Sequence, residues 1–114
     1  MVESYRDLNV WQRAIQMSVR VYALTKGFPR EEIYGLTSQL KRASVSVACN
    51  IAEGYGRGSK GEYRQFLSVA RGSNLEVQTQ LVLARELKFG IQREIDEGLS
   101  FEVGRMLTTM LKKV

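Results

Sequence analysis

Apolar residues recur along this chain at three- and four-residue steps, the spacing that lines one face of a helix, and nowhere do they alternate as a half-buried strand requires. The pattern is clearest between Tyr34 and Gln80. Leu36, Leu40, Ala43, Val47, Asn50, Ile51 and Gly54 mark one helical face, and Tyr63, Phe66, Ala70, Ser73, Val77 and Leu81 mark a second. Between them lies the joint Gly54-Tyr55-Gly56-Arg57-Gly58, followed by Ser59 with Glu62 three places on. That Ser-x-x-Glu spacing is a capping box, so a helix starts at Ser59. The centre of the chain is a helical hairpin.

Upstream, Leu8, Trp11, Ala14, Ile15, Val19 and Tyr22 form one stripe, and Val10, Met17, Val21 and Leu24 widen it to one side. The arc is broader than a single bundle core needs, so this helix is either central or offers a second apolar face to another subunit. Gly27 is placed to end it, and Phe28-Pro29 turns the chain. Pro29 to Tyr34 reads as a separate turn, because Gly35 interrupts good helical sequence. Glu31 and Glu32 suit the first turn of a helix, where the macrodipole favours negative charge.

Downstream, Leu67, Ala84 and Leu87 extend the third helix's face as far as Phe89, and Gly90 is placed for a left-handed cap. A last helix turns Ile95, Leu99, Val103, Met106, Leu107 and Met110 inward, weakened by Gly98 and Gly104. Short joints make successive helices antiparallel neighbours. The expected fold is all-α, an antiparallel up-down-up-down four-helix bundle, with helices at about 7–26, 36–53, 59–89 and 92–113 in one domain spanning 1–114.

Seventeen basic residues against twelve acidic ones leave a net charge of +5, which favours a polyanionic partner without establishing one. Arg57, Lys60, Arg64 and Arg71 project to one side of the third helix and form the best candidate basic surface. Arg6, Arg13 and Arg20 recur every seven residues along the first, as a solvated flank or an anion-binding ridge. Tyr55 and Tyr63 are candidates to stack on bases or to pack. The glycine joint lacks the preceding strand and the Gly-Lys-Ser/Thr ending of a phosphate loop, so turn chemistry explains it.

Histidine is absent, which removes the commonest general base, the commonest zinc ligand and the Glu-x-x-His signature of bundle di-metal sites. Paired carboxylates on facing helices, such as Glu53 and Glu76, remain to be considered for a metal. The expectation is no enzyme, no cofactor and no metal. Cys49 has no partner and reads as a small buried apolar residue. Asn50 and Glu53 suit a buried polar network or a functional surface, and Glu76, Gln78 and Gln80 a solvated face or a subunit seam. With no membrane span and no signal-peptide pattern, the chain reads as cytoplasmic.

The run YGLTSQLKRASVSVACNIAEGYGRGS, continued by Glu62-Tyr63, Phe66-Leu67, Gly72-Ser73, Glu76 and Thr79-Gln80-Leu81, resembles the 23S rRNA intervening sequence protein family. Asn50-Ile51-Ala52-Glu53-Gly54 with Gly56-Arg57 is the most specific part. The likeness extends upstream through Tyr5-Arg6-Asp7-Leu8, Val10-Trp11 and Phe28-Pro29. It departs at Ala48-Cys49, where the family usually has Pro-Ser, and at Leu87 to Ile91, where it usually has Leu-Gly-Tyr-Ile.

That family of small bacterial four-helix bundles is similar to the accessory variability proteins of diversity-generating retroelements. The resemblance implies homopentameric barrels with basic surfaces, and the retroelement relatives bind nucleic acid alongside a reverse transcriptase. The expected function is a non-enzymatic, homo-oligomeric nucleic-acid-binding protein, a pentamer by this resemblance. It favours RNA or RNA–DNA hybrid, with phosphate contacts from Arg57, Lys60, Arg64, Arg71, Arg6, Arg13 and Arg20. The alternative is a structural adaptor that assembles with a protein partner.

Overall fold

The central hairpin forms as its apolar pattern requires. In the computed structural model, which describes residues 2–90 and 93–114 (side chains of 93–95 excepted), the chain folds into α1 (Asn9–Thr25), α2 (Leu36–Gly56), α3 (Lys60–Glu86) and α4 (Arg93–Lys113). Single 3-10 turns, Tyr5–Asp7 and Arg30–Glu32, precede α1 and α2. The second is the separate turn expected between Pro29 and Tyr34. Its Glu32 carboxylate accepts from the Leu36 N–H at 3.0 Å and so caps α2. The inward placement expected of Ile95 and a helix start at Gln92 lie outside what is described.

Side-chain contacts set the register at all four seams. Ser18 donates to the Ser44 carbonyl and Lys41 lies over the Tyr22 ring; Ser46 meets Ser73 while Gly54 meets Phe66. Arg85 pairs with Glu97, Asn74 with Ser100 and Arg64 with Leu111, and Arg20 pairs with Asp96 while Arg13 pairs with Glu102. In every pair one residue number rises as the other falls, so adjacent helices run antiparallel. Each helix packs on two neighbours, and among the described residues none approaches its diagonal counterpart. This is a four-helix bundle.

Leu36, Leu40, Ala43, Val47, Ile51 and Gly54 of α2 and Leu67, Ala70, Ser73, Val77, Leu81 and Ala84 of α3 are buried as expected, whereas Leu87 is exposed. Helix α2 runs on to Gly56, and Gly54 lets α3 approach so closely that a Cβ there would lie 2.7 Å from Phe66 Cβ. At the start of α3, Ser59 Oγ accepts from the Glu62 N–H at 3.2 Å. The Glu62 carboxylate accepts from the Ser59 hydroxyl rather than from its backbone, which completes only half of the expected box.

In α1 the core stripe is Val10, Ala14, Met17, Val21 and Leu24: Ala14 is buried as expected, and the other four are residues expected at the margin of the arc. Ile15, Val19 and Tyr22 face outward with Val45 of α2. Both stripes are apolar, and the pairing of Arg13 and Arg20 with α4 acids holds α1 with the Val10–Leu24 stripe inward. In α4, Val103, Leu107 and Leu111 are buried, while Leu99, Met106 and Met110 pack against their rim. Cys49 is exposed, one helical step past buried Ala48, which corrects its reading as a core residue.

The end of α3 also departs from expectation. The Phe89 N–H donates to the Ala84 carbonyl at 2.8 Å and the Lys88 N–H to Arg85 at 3.0 Å, a Schellman motif with Lys88 itself left-handed at φ 63°. Gly90 is left-handed too (φ 71°), but for packing: a Cβ there would lie 2.6 Å from Leu24 Cδ1. Lys88→Gly is therefore expected to stabilise the fold by about 1 kcal/mol, read as a rise in the denaturation midpoint.

Candidate nucleic-acid interface

The fold assigns the seven expected cations to different tasks. Arg13 Nε lies 2.9 Å from Glu102 and Arg20 Nε 3.0 Å from Asp96, so two of the three first-helix arginines tie α1 to α4. Arg6 lies 6.0 Å over the Tyr5 ring. Arg57 pairs with Glu53 at 2.8 Å and lies 5.0 Å over the Phe66 ring. Arg64 donates from one nitrogen to the carbonyls of Leu111 and Val114 at 2.8 and 2.9 Å, satisfying the last turn of α4. Lys60 and Arg71 are exposed and make no ion pair among the described residues.

The α3–α4 register brings new cations beside these two. Arg71 lies next to Arg105 across a groove of about 440 Å³, and both line it. Phe101 of α4 and Leu75 of α3 form apolar walls, Asn74 and Gln78 lie among the lining residues, and no carboxylate lines it. Helical spacing puts Phe101, Arg105, Thr108 and Lys112 on one face of α4. Lys60, Arg71, Arg105 and Lys112 thus follow a single seam, all exposed and none ion-paired among the described residues.

Elsewhere the polar groups serve the fold. Asn50 Nδ2 donates to the Ser46 carbonyl and hydroxyl, and Ser46 shares a hydrogen bond with Ser73, the expected polar network between α2 and α3. Glu53 is not part of it and pairs with Arg57 at the surface. Tyr55 and Tyr63 meet edge to face at 6.2 Å, and burial, followed by the neighbouring Tyr55, raises the Tyr63 pKa. They pack together rather than present open faces to bases.

The model of the family described as 23S rRNA-intervening sequence protein matches residues 6–109, nearly the whole chain. The chain belongs to this family. No curated protein matches it significantly. Among solved structures, it is similar to a protein of unknown function from the S23 ribosomal protein family of Bacteroides thetaiotaomicron VPI-5482, with TM-score 0.80 and 24% identity over 90% of this chain and 95% of that one. That likeness shows the fold.

In this member of the family, Phe101 and Arg105 face outward on α4, and only the register between α3 and α4 brings them beside Arg71. Val103 and Leu107 are buried as expected and Leu111 joins them, which leaves Phe101, Arg105 and Lys112 away from the core. Asn74 was missed because a buried asparagine in an exposed-looking Gly-Ser-Asn run leaves no periodic signal. Gln78 donates across α3–α4 to the Ser100 carbonyl at 3.3 Å, while Glu76 is exposed.

Proposed function

We propose that this protein is a non-enzymatic, cytoplasmic, homo-oligomeric nucleic-acid-binding protein that holds phosphate backbone along the α3–α4 seam. The observation that carries the reading is the row Lys60, Arg71, Arg105 and Lys112, exposed and without ion pairs among the described residues. Arginines committed to carboxylates must break those pairs to bind phosphate, whereas these four are available for counterion release. Arg6, Arg57 and Arg64 flank the row as secondary contacts, and Arg13 and Arg20 serve the seam between α1 and α4. RNA or RNA–DNA hybrid is the favoured ligand, and a reverse transcriptase is the protein partner that the retroelement resemblance implies.

Assembly, as a pentamer, rests on the outward stripe of α1 and α2. Ile15, Val19, Tyr22 and Val45 line one shallow apolar depression, with Val19 63% exposed. A contiguous patch of this kind is characteristic of a surface that another protein covers. The same observation favours the second reading, an adaptor whose partner is a different protein. No described helix is long and apolar enough to cross a membrane.

Size-exclusion chromatography with light scattering on nuclease-treated protein tests both parts. The expected particle is near five times 13.0 kDa. With four phosphate contacts, affinity for short single-stranded RNA should fall on the order of 50-fold between 50 and 200 mM salt, from a slope of about 0.7 per contact. Affinity that stays flat with salt would overturn the nucleic-acid reading. A monomer would remove the assembly, and capture of a protein partner that survives nuclease, without RNA uptake, would favour the adaptor.

A further inference from the structure

We infer that the α3–α4 groove is a pocket for one unstacked nucleotide, its base between Phe101 and Leu75 and its phosphates on Arg71 and Arg105. The inference rests on the nucleic-acid reading and adds to it a base-binding element that backbone tracking does not need.

Two features of the groove have no role in holding the bundle together, and a third leaves hydrogen-bonding capacity unused. The first is its apolar walls: Phe101 is 48% exposed and Leu75 52% exposed, and neither belongs to the core cluster. An aromatic face beside an apolar wall suits the flat face of a base, and stacking of this kind tolerates any base. The second is charge. Both arginines line the groove without ion pairs among the described residues, Thr108 adds a hydroxyl, and no lining residue is acidic.

The third is the floor. Gly104 lets α4 pack close over two amides, since a Cβ there would stand 3.1 Å from both Asn74 Nδ2 and Gln78 Nε2. Asn74 is fully buried and donates to the Ser100 carbonyl at 2.8 Å, yet its Oδ1 has no partner. Gln78 is half-buried and donates to the same carbonyl, leaving its amide oxygen and second N–H for a base edge.

A docked helix would want a continuous apolar stripe and carboxylates opposite the arginines. A bare phosphate would have no use for Phe101. The two chemistries side by side fit a nucleotide, and about 440 Å³ lies in the range of small-ligand sites. Lys112 stands seven residues beyond Arg105, about 10 Å farther along α4. That continuation favours a nucleotide within a strand over a free one.

The test compares wild type with Phe101→Ala and with Arg71→Gln/Arg105→Gln, using Tyr34→Ala as an exposed aromatic control. Each is titrated by fluorescence anisotropy with a labelled single-stranded oligonucleotide and with its blunt duplex, whose bases are already stacked. Thermal denaturation confirms that every variant is folded.

Phe101→Ala should weaken the single strand about tenfold and leave the duplex and the Tyr34→Ala control unchanged. The double arginine variant should lower the salt slope on the single strand by about 1.4, two contacts at about 0.7 each. Competition by a free nucleoside monophosphate at equal concentration of nucleotide would keep the pocket and assign it to free ligand. If Phe101→Ala binds both forms like wild type, or loses both equally, the pocket is overturned while backbone tracking stands. If wild type binds neither form at low salt, both readings fall.

Discussion

Arg20→Gln is expected to lower the unfolding free energy by about 2 kcal/mol at neutral pH, and by progressively less as the pH falls. Asp96 is only 1% exposed, with one carboxylate oxygen on Arg20 and the other without a partner. Breaking a buried pair by removing one partner costs ~3–5 kcal/mol, discounted here because the Arg20 side chain is one-third exposed.

Burial pushes the Asp96 carboxyl above the usual carboxylate range, and the hydrogen bond and charge of Arg20 pull against it. A raised folded-state pKa means that the native protein binds more protons than the unfolded chain in the window from about pH 4 up to the folded pKa. The contribution of Asp96 to stability therefore falls as pH rises through its folded pKa. Removing Arg20 raises that pKa further, so the loss is largest where Asp96 is forced to ionise. Asp96→Asn, which keeps an acceptor for Arg20, should flatten this pH dependence. Denaturant titrations across the acid range read both effects, and a loss for Arg20→Gln that grew in acid would refute the account.

Reversing the ridge with Lys60→Glu, Arg71→Glu, Arg105→Glu and Lys112→Glu is expected to abolish RNA binding at physiological salt, a loss on the order of 1000-fold. Each reversal changes the charge by two, so four take the chain from +5 to −3. A control carrying Lys26→Glu, Arg30→Glu, Arg42→Glu and Lys88→Glu has the same net charge. All eight positions are exposed, and the fold should survive in both. Electrophoretic mobility shifts at fixed salt separate the alternatives. If the control loses as much as the ridge variant, net charge rather than the α3–α4 seam governs binding.

How much of this was legible in the sequence depended on which face of a helix carried a single apolar stripe. The α2–α3 hairpin has one stripe per helix, so Leu40, Val47, Ile51, Leu67, Val77 and Leu81 were readable as core from spacing alone. Helix α1 has two, and the choice between Val21 and Val19 is made by Arg13 and Arg20, whose partners lie in α4. No local pattern contains that information.

The candidate interface was half legible for the same reason. Lys60 and Arg71 could be read from α3, but whether a cation is free depends on acids far along the chain. Arg64 matched its neighbours in sequence yet turned to the carbonyls of α4. Placing Arg105 and Phe101 beside Arg71 required the register between two helices. The cap at Lys88 was hidden because a left-handed lysine costs strain that sequence assigns to glycine.

The seam between α1 and α4 has a consequence for the order in which the molecule forms. Its Arg20–Asp96 contact joins residues 76 apart, the α2–α3 contact of Ser46 with Ser73 only 27. Closing the longer loop carries the greater entropic penalty and gains least before the intervening helices are in place. The central hairpin is thus the natural nucleus, and the α1–α4 seam closes last. Interactions made after the rate-limiting step leave the folding rate nearly unchanged and slow the escape from the native state. The arginines of the first helix act in that way as a latch, setting how long the assembled bundle persists rather than how fast it is reached.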